Sequence, residues 1–197
     1  MIRFFDILFS LIGLLVLIPL FFVVGILIKC SSKGPVFFLQ KRVGRNNRDF
    51  FLIKFRTMYQ EAEKKGLLTV GEKDPRVTTI GYFLRKYKID ELPQLINVLK
   101  GDMSLVGPRP EVRKYVDFYT EEQRRILNYR PGITDLASIK YVNENEILKN
   151  VDNPEEYYIR HIMPDKIKLN LKYLQNPTLK RYFSIIFKTF FSIGNKE

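Results

Sequence analysis

The sequence contains no tryptophan, one cysteine and one histidine, and it is short of acidic residues. A single cysteine, Cys30, excludes an intramolecular disulfide framework and a zinc site built from cysteines. We interpret Cys30 as a small residue at the end of an apolar segment and His161 as part of a structural helix. With 33 Lys and Arg against 21 Asp and Glu, the net charge of +12 indicates an anionic partner. Nucleic acid, a phosphorylated substrate and acidic lipid would all satisfy that charge.

The N-terminal segment favours lipid over nucleic acid. From Ile7 to Ile28 no residue is charged. At 1.5 Å per residue this run makes about 33 Å of helix, enough to cross the hydrocarbon of a bilayer. The run is too long for a cleavable signal peptide, and no cleavage site follows it. We therefore expect a protein whose partners include membrane lipids and exclude nucleic acid.

Pro19, near the middle of this run, leaves two topologies open. A proline inside a helix removes a hydrogen bond and favours a bend. Basic residues flank both ends, with Arg3 before the run and Lys29 and Lys33 after it, whereas a spanning helix normally has a one-sided excess. One alternative is a helix that enters the bilayer, bends at Pro19 and returns. The other is a plain transmembrane anchor, because proline is tolerated in membrane helices.

The remainder of the 197-residue chain predicts one mixed α/β (α+β) domain, mostly helical, with a short β-hairpin. The hairpin pairs Val36–Gln40 with Phe50–Phe55 across a Gly/Asn turn. A helix is predicted after Thr78 or Thr79, because Ile80, Phe83, Leu84 and Tyr87 are apolar at helical spacing. The segment "GEKDPR" before it is predicted to be a loop. Further helices are predicted at Gln60–Lys65, at the capping box Thr120–Gln123, after Asn153-Pro154, in "PDKIKLNLKYL" and in "TLKRYFSIIFKTFFSI". The last helix suits an interfacial position on anionic lipid and a place in the core about equally, since Leu179, Phe183, Ile186 and Phe190 form one apolar stripe.

The stretch "KYKIDELPQLINVLKGDMSLVGPRPE" combines two adjacent acids with a proline-rich loop. Leu92, Leu95, Ile96 and Leu99 stand at helical spacing, with Pro93 in the predicted first turn and Gly101 at the end. Asp90 would then lie close to the N-cap and Glu91 in the first turn. Both acids have ordinary structural explanations there, as a cap and as a partner of the helix dipole.

The surroundings of the acid pair favour phosphate chemistry instead. Arg109 stands between Pro108 and Pro110, so its backbone is pre-organised for its guanidinium to meet a phosphate. Lys54 and Arg56, one residue apart in a strand, would point to the same side and add two phosphate donors. Carboxylates among cations and phosphates suit Mg²⁺, and a carboxylate can itself be a nucleophile.

Four segments carry a family resemblance: "SKGPVFFLQKRVG", "FLIKFRTM", "DPRVTTIGYFLRKYKIDELPQLINVLKGDMSLVGPRPE" and "RPGIT". In this order they resemble the bacterial sugar transferases, and more closely the small monotopic phosphoglycosyl transferases. The resemblance runs from the membrane segment to about Ile139. It implies a re-entrant helix over residues 1–32, broken at Pro19, and a catalytic domain over residues 33–197 with interfacial C-terminal helices. That domain would face the cytoplasm at the bacterial cytoplasmic (inner) membrane.

The resemblance also implies a reaction that initiates glycoconjugate synthesis. Asp90 would be the nucleophile and Mg²⁺ ligand, and Glu91 its catalytic partner. The substrates would be a UDP-sugar and polyprenol phosphate, with UMP released. The candidate substrate-binding residues are Gln40, Arg42, Lys54, Arg56, Pro108, Arg109 and Pro110.

Two elements depart from the family pattern. After "RPGIT" many members have Gly-Trp-Ala, whereas this chain has Asp135-Leu136-Ala137. A late Asp-x-x-Tyr element appears here with Asn170 in place of the aspartate. Two other classes remain as alternatives, a nucleotide-sugar glycosyltransferase and a membrane-tethered binder of nucleic acid. The chain has no Asp-x-Asp motif and no G-x-G-x-x-G loop to favour the first, and the second leaves the acid pair unexplained.

Overall fold

The computed structural model describes residues 1–62 and 74–194 and shows a mostly helical α+β protein, as the sequence predicts. The helices are α1 (Ile2–Ser31), α2 (Thr79–Lys86), α3 (Gln94–Lys100), α4 (Arg113–Val116), α5 (Glu121–Arg124), α6 (Leu136–Lys140), α7 (Glu144–Lys149), α8 (Pro154–Tyr157), α9 (Met163–Leu174) and α10 (Leu179–Gly194). The strands are β1 (Phe37–Val43), β2 (Asp49–Phe55), β3 (Ser104–Val106) and β4 (Gly132–Thr134). Half of the helix predicted at Gln60–Lys65 and half of the "GEKDPR" loop lie outside the described residues.

Helix α1 is long and apolar enough to cross a membrane, and both of its ends are bound to the folded domain. Near its start, Arg3 donates to the carbonyl oxygen of Met103 (3.2 Å), and Asp6 accepts from the backbone N–H of Leu105 (3.0 Å). At its end, Arg56 donates to the carbonyl oxygen of Ser32 (2.7 Å). The helix continues through Pro19 without interruption, and the re-entrant path remains a prediction.

The hairpin forms as predicted, with longer strands. β1 and β2 pair antiparallel, in a register that runs from Phe37 opposite Phe55 to Val43 opposite Asp49. Asn46 and Asn47 in the connecting turn have φ angles of 57° and 60°. Asparagine tolerates this left-handed conformation better than most residues, which explains why a polar Gly/Asn turn closes the hairpin.

The predicted start of the helix around Asp90 is wrong. Ile89–Glu91 form a 3₁₀ turn, and α3 begins only at Gln94, with Pro93 at its N-cap. Lys88 adopts a left-handed φ of 57°, which starts the tight turn. Pro93 has no N–H to donate to the carbonyl of Ile89, so the turn does not continue as α-helix.

The predicted buried face of α3 is also wrong. Its buried residues are Gln94, Asn97 and Val98, whereas the leucine and isoleucine stripe is only half-buried. The amide of Asn97 donates to the carbonyl of Phe51 (2.8 Å) and accepts from the N–H of Ile53 (3.0 Å). The helix is therefore held to β2 through a buried amide that satisfies two backbone groups of the strand.

A short parallel pair, β3 and β4, was not predicted. Ser104 lies opposite Gly132, and Val106 opposite Thr134. A Cβ on Gly132 would lie 2.1 Å from the backbone nitrogen of Gly107, so only glycine permits this approach. The pair brings the Pro108–Pro110 loop beside the start of α6.

The C-terminal helices form the main core with α4. The capping box at Thr120 and the Asn153 cap are present as predicted, and so are α9 and α10. Helix α10 buries Tyr182 and Ile185 but leaves Phe187, Phe190 and Phe191 exposed. It therefore has a core face and a separate aromatic face.

Candidate active site

Asp90 and Glu91 lie in the 3₁₀ turn between α2 and α3 and are only 7% and 9% exposed. The guanidinium of Arg109 donates two hydrogen bonds to Glu91, from Nη1 to Oε2 (3.1 Å) and from Nη2 to Oε1. The Nζ atom of Lys54 stands 3.7 Å from Oε1 of the same carboxylate. A buried carboxylate is stable when its charge is matched in this way. Of the predicted residues, the structure thus brings Glu91, Lys54 and Arg109 together.

The charged groups of this cluster shift one another's pKa values. Burial alone would raise the pKa of Glu91, but Arg109 and Lys54 outweigh it and hold that pKa well below its usual range. The Glu91 carboxylate in turn raises the pKa of Arg109. For Lys54, burial outweighs the attraction of Glu91 and lowers the pKa to about 8. Glu91 is therefore ionised at neutral pH, and Lys54 is a cation close to its titration point.

Asp90 differs from its neighbour. Its Oδ1 atom is buried, yet within the described part of the chain it has no hydrogen-bond partner. Burial and then the charge of Glu91 raise the pKa of Asp90 to about 6. An ionised, poorly solvated carboxylate with a free oxygen is suited to attack an electrophile or to bind a cation.

Arg42, Gln40 and the loop prolines form a supporting layer. Arg42 donates from Nη2 to Oε1 of Gln40 (2.8 Å) and from Nη1 to the carbonyl of Pro110 (3.0 Å). On the other side of Arg109, the carbonyl of Pro108 accepts from the N–H of Gly132 (2.9 Å). The carbonyls of the two prolines on either side of Arg109 are therefore hydrogen-bonded, which restricts where the Arg109 side chain can reach.

Arg56 is placed elsewhere. It follows the end of β2, and its guanidinium donates to carbonyl oxygens at the end of α1: those of Ser32 (2.7 Å), Ile28 (3.4 Å) and Lys33. The carbonyl of Ile28 also accepts from the backbone N–H of Ser32 (3.2 Å), whereas Ser32 and Lys33 follow the last residue of the helix, so no further helical turn supplies donors to their carbonyls. The structure thus assigns Arg56 to holding α1, and its predicted contact with substrate stays a prediction.

Three nearby residues were missed by the sequence reasoning. Arg85, in the last turn of α2, and Lys88 both lower the pKa of Asp90 through their charges. Their closeness in sequence to Asp90 was the signal. Asp135 accepts from the backbone N–H of Arg109 (3.0 Å), a contact across 26 positions that no local pattern reveals.

The residues fit a magnesium ion that is held mainly by substrate. Among the described residues no group of three or more His, Cys, Asp or Glu side chains could hold a metal. Glu91 is engaged by Arg109, whereas Asp90 retains its unpartnered oxygen. Mg²⁺ commonly takes one or two carboxylates and completes its shell with phosphate oxygens and water. Asp90 is therefore the protein ligand that this site can offer.

A small α+β domain with a buried acid pair paired with cations, joined to an exposed helix that is long and apolar enough to cross a membrane, defines the class of protein. Within that class, the chain belongs to the bacterial sugar transferase family, whose model matches residues 1–196.

Among three curated relatives, two carry transferase names and the third is named for exopolysaccharide production. The chain is 49% identical over 139 residues to the UDP-N-acetylgalactosamine-undecaprenyl-phosphate N-acetylgalactosaminephosphotransferase of Aeromonas hydrophila, covering 68% of this chain and 32% of that protein. It is 48% identical over 120 residues to a putative undecaprenyl-phosphate N-acetylgalactosaminyl 1-phosphate transferase of Bacillus subtilis, covering 61% and 67%. It is 34% identical over 202 residues to the exopolysaccharide production protein ExoY of Rhizobium meliloti, covering 95% and 82%. The chain thus spans about a third of the Aeromonas protein and most of ExoY.

Proposed function

We propose that this protein transfers a sugar-1-phosphate from a UDP-sugar to polyprenol phosphate and so initiates the synthesis of a bacterial glycoconjugate. Family membership supports the proposal, as do the relatives named for transfer to undecaprenyl phosphate. The observation that carries the chemistry is Asp90, a buried carboxylate with an unpartnered oxygen beside a charge-matched Glu91.

In the first step, an oxygen of Asp90 attacks the β-phosphorus of the UDP-sugar. A bond forms between that oxygen and phosphorus, and the bond from the β-phosphorus to the bridging oxygen breaks. UMP departs with the electron pair, and a phosphosugar remains on Asp90 as an acyl phosphate. Because the pKa of Asp90 is raised only to about 6, most of its carboxylate is ionised at neutral pH.

In the second step, a phosphate oxygen of polyprenol phosphate attacks the phosphorus of the intermediate. The bond to Asp90 breaks, the carboxylate is regenerated, and polyprenol diphosphate sugar leaves. Lys54 and Arg109 balance the negative charge that each phosphate group brings, and Glu91 orients Arg109. Mg²⁺, held by Asp90 and phosphate oxygens, would supply further charge neutralisation.

The acceptor is a lipid, so we place the reaction at the bacterial cytoplasmic membrane, with the domain on the cytoplasmic face. The apolar surface of α1, which includes Leu15, Val16 and Phe22, is exposed and suited to the bilayer. Contacts of the domain with both ends of α1 support the re-entrant path, because a helix that crossed the membrane would carry its ends to opposite sides.

The test is the covalent intermediate. Wild-type protein incubated with Mg²⁺ and a UDP-sugar that it turns over, without polyprenol phosphate, should gain the mass of one phosphosugar. Asp90→Asn should gain none, and its turnover should fall by several orders of magnitude. Its Tm should change little, because Oδ1 of Asp90 makes no hydrogen bond that the substitution could break.

Released nucleotide separates this function from the alternatives. Our proposal requires UMP, a glycosyltransferase would release UDP, and a binding protein would release neither. UDP as the product, or an active Asp90→Asn variant, would contradict covalent transfer of a phosphosugar.

A further inference from the structure

The carboxylate of Asp135 accepts hydrogen bonds from three N–H donors in three separate parts of the chain. It is 1% exposed and lies between β4 and α6. Its Oδ1 atom accepts from the backbone N–H of Ser138 (2.5 Å), which caps α6. Its Oδ2 atom accepts from the backbone N–H of Arg109 (3.0 Å) and from the side-chain amide of Asn170 on α9 (2.7 Å). One carboxylate therefore joins the proline loop, α6 and α9.

An aspartate side chain can accept from all three donors, and an asparagine side chain cannot. A carboxylate carries no hydrogen and accepts at both oxygens, whereas an asparagine side chain has one carbonyl oxygen and one NH₂ group. In Asp135→Asn, the NH₂ group would face either the N–H of Arg109 or that of Ser138. At least one buried donor would then lose its partner.

The bond to Arg109 matters because of what its side chain does. Pro110 restricts the backbone of Arg109 to extended conformations, and the carbonyls of Pro108 and Pro110 are fixed by other bonds. The N–H of Arg109 is the remaining backbone anchor beside the site. Its guanidinium holds Glu91, next to Asp90. A shift of this backbone would therefore be transmitted to the acid pair.

Asn170 extends the connection to the C-terminal helices. It is 3% exposed, and its Oδ1 atom has no hydrogen-bond partner among the described residues. A cavity of about 30 Å³ lies beside it, bounded also by Arg109, Asp135 and Lys166. That space admits one water molecule that could satisfy the free oxygen. Asp135 and Asn170 also lie at positions where the chain departs from the pattern that it resembles, and here they are hydrogen-bonded to each other.

We propose that Asp135 and Asn170 are a positioning pair, which sets the backbone of Arg109 and so the geometry of the Glu91–Arg109 contact during transfer from the UDP-sugar. This rests on the proposed function. It gives the C-terminal third of the chain a role in the first chemical step, although none of its residues contacts the acid pair in the contacts described above.

The experiment is a double-mutant cycle on the first half-reaction. The rate at which the phosphosugar adduct forms is followed by mass in wild type, Asp135→Asn, Arg109→Lys and the double variant. The dependence of that rate on UDP-sugar concentration gives kcat/KM for this half-reaction. Loss of one hydrogen bond to a charged group corresponds to about a tenfold to hundredfold fall in kcat/KM for Asp135→Asn. If Asp135 acts through Arg109, the same change in the Arg109→Lys background should cost less than threefold. Effects that multiply would overturn the proposal.

Two further variants guard against a trivial loss of folding. Asn170→Ala removes only the outer donor, so it should give a smaller fall that also disappears with Arg109→Lys. Asp165→Asn alters a different carboxylate, on α9, that binds Lys140 and Tyr141, and it should leave kcat/KM near the wild-type value. Equal effects of Asp165→Asn and Asp135→Asn, at equal Tm, would show a structural role alone. Failure of the wild type to form any adduct would instead contradict the proposed function.

Discussion

At the scale of single residues, two anionic groups would compete for Arg109: the carboxylate of Glu91 and the diphosphate of the proposed donor. In the structure its two guanidinium nitrogens bind Glu91. A donor diphosphate would bring a stronger and more highly charged partner to the same cluster. The planar fork of arginine can meet a carboxylate and a phosphate at different edges, whereas an ammonium presents one compact charge. The geometry of Arg109, rather than its charge, is therefore the property that we expect to matter.

Arg109→Lys tests this directly. The variant keeps the positive charge but cannot form the two-bond contact with Glu91, so we predict a loss of most activity, at least tenfold in kcat/KM for the UDP-sugar. Steady-state release of UMP measures it. Lys41→Arg, at an exposed lysine paired with Asp49, is the matched control and should behave as wild type. Near-normal kcat/KM in Arg109→Lys would remove Arg109 from the site.

That the acid pair and Arg109 lie together could be predicted, because they stand in one stretch of sequence, whereas their catalytic roles stay a prediction. The assignment of Asp90 as a helix cap was wrong, since a left-handed Lys88 and Pro93 create a 3₁₀ turn. The place of Arg56 could not be predicted. A strand pattern says which side a residue faces, but not that a distant helix end with free carbonyls will occupy it.

At the scale of elements, α10 resolves an ambiguity that its sequence left open. The pattern suited a core helix and an interfacial helix about equally. The structure buries Tyr182 and Ile185, and leaves Phe187, Phe190 and Phe191 at 64%, 71% and 70% exposure. The rings of Phe5 and Phe9 on α1 pack against Phe183 of α10 (5.3 and 6.0 Å between centroids). The exposed aromatic face thus lies on a helix that packs against the apolar helix α1, which suits lipid contact.

The absence of tryptophan allows a clean test of this face. In Phe190→Trp, the single indole should show blue-shifted emission in vesicles containing anionic lipid, and brominated lipids should quench it. The control is Phe118→Trp, at a phenylalanine that is also exposed but lies after α4. Equal emission and equal quenching in the two variants would contradict an interfacial α10.

The elements that sequence reasoning predicted are those with long periodic patterns or strong caps. The hairpin, α2, α9 and α10 belong to this group. The parallel pair of β3 and β4 has three residues in each strand, too few for any period to be visible. Its formation depends on Gly107 and Gly132 meeting across the fold, which is a tertiary event.

At the scale of the whole molecule, α1 is integrated into the domain. Val24 and Ile28 are buried with Phe55 of β2 and Leu84 of α2, and Gly13 lies against Leu95 of α3. Arg3 and Asp6 hold the other end. The domain therefore contacts α1 at several points along the helix. We expect the two ends of α1 to lie on the same side of the membrane.

Accessibility of single cysteines measures this topology. In a Cys30→Ser background, a cysteine inserted after Met1 and an Arg48→Cys variant should both resist a membrane-impermeant maleimide on intact cells. Both should react after permeabilisation, which controls for buried thiols. Labelling of the N-terminal cysteine alone in intact cells would show a spanning helix. Pro19→Leu should shift the protein toward that outcome, because it removes the residue that we predict to bend the segment in the membrane.

The hydrogen bond between the carboxylate of Asp6 and the hydroxyl of Tyr182 (2.9 Å) joins the first helix to the last, across 176 positions of the chain. During translation at about 5–20 residues per second, the ribosome adds Tyr182 about 9 to 35 seconds after it adds Asp6. Throughout that interval the nascent helix α1 has an acid without this partner. The contact between the first and last helices therefore forms only late in synthesis, and a chain halted before α10 would have Asp6 without its Tyr182 partner.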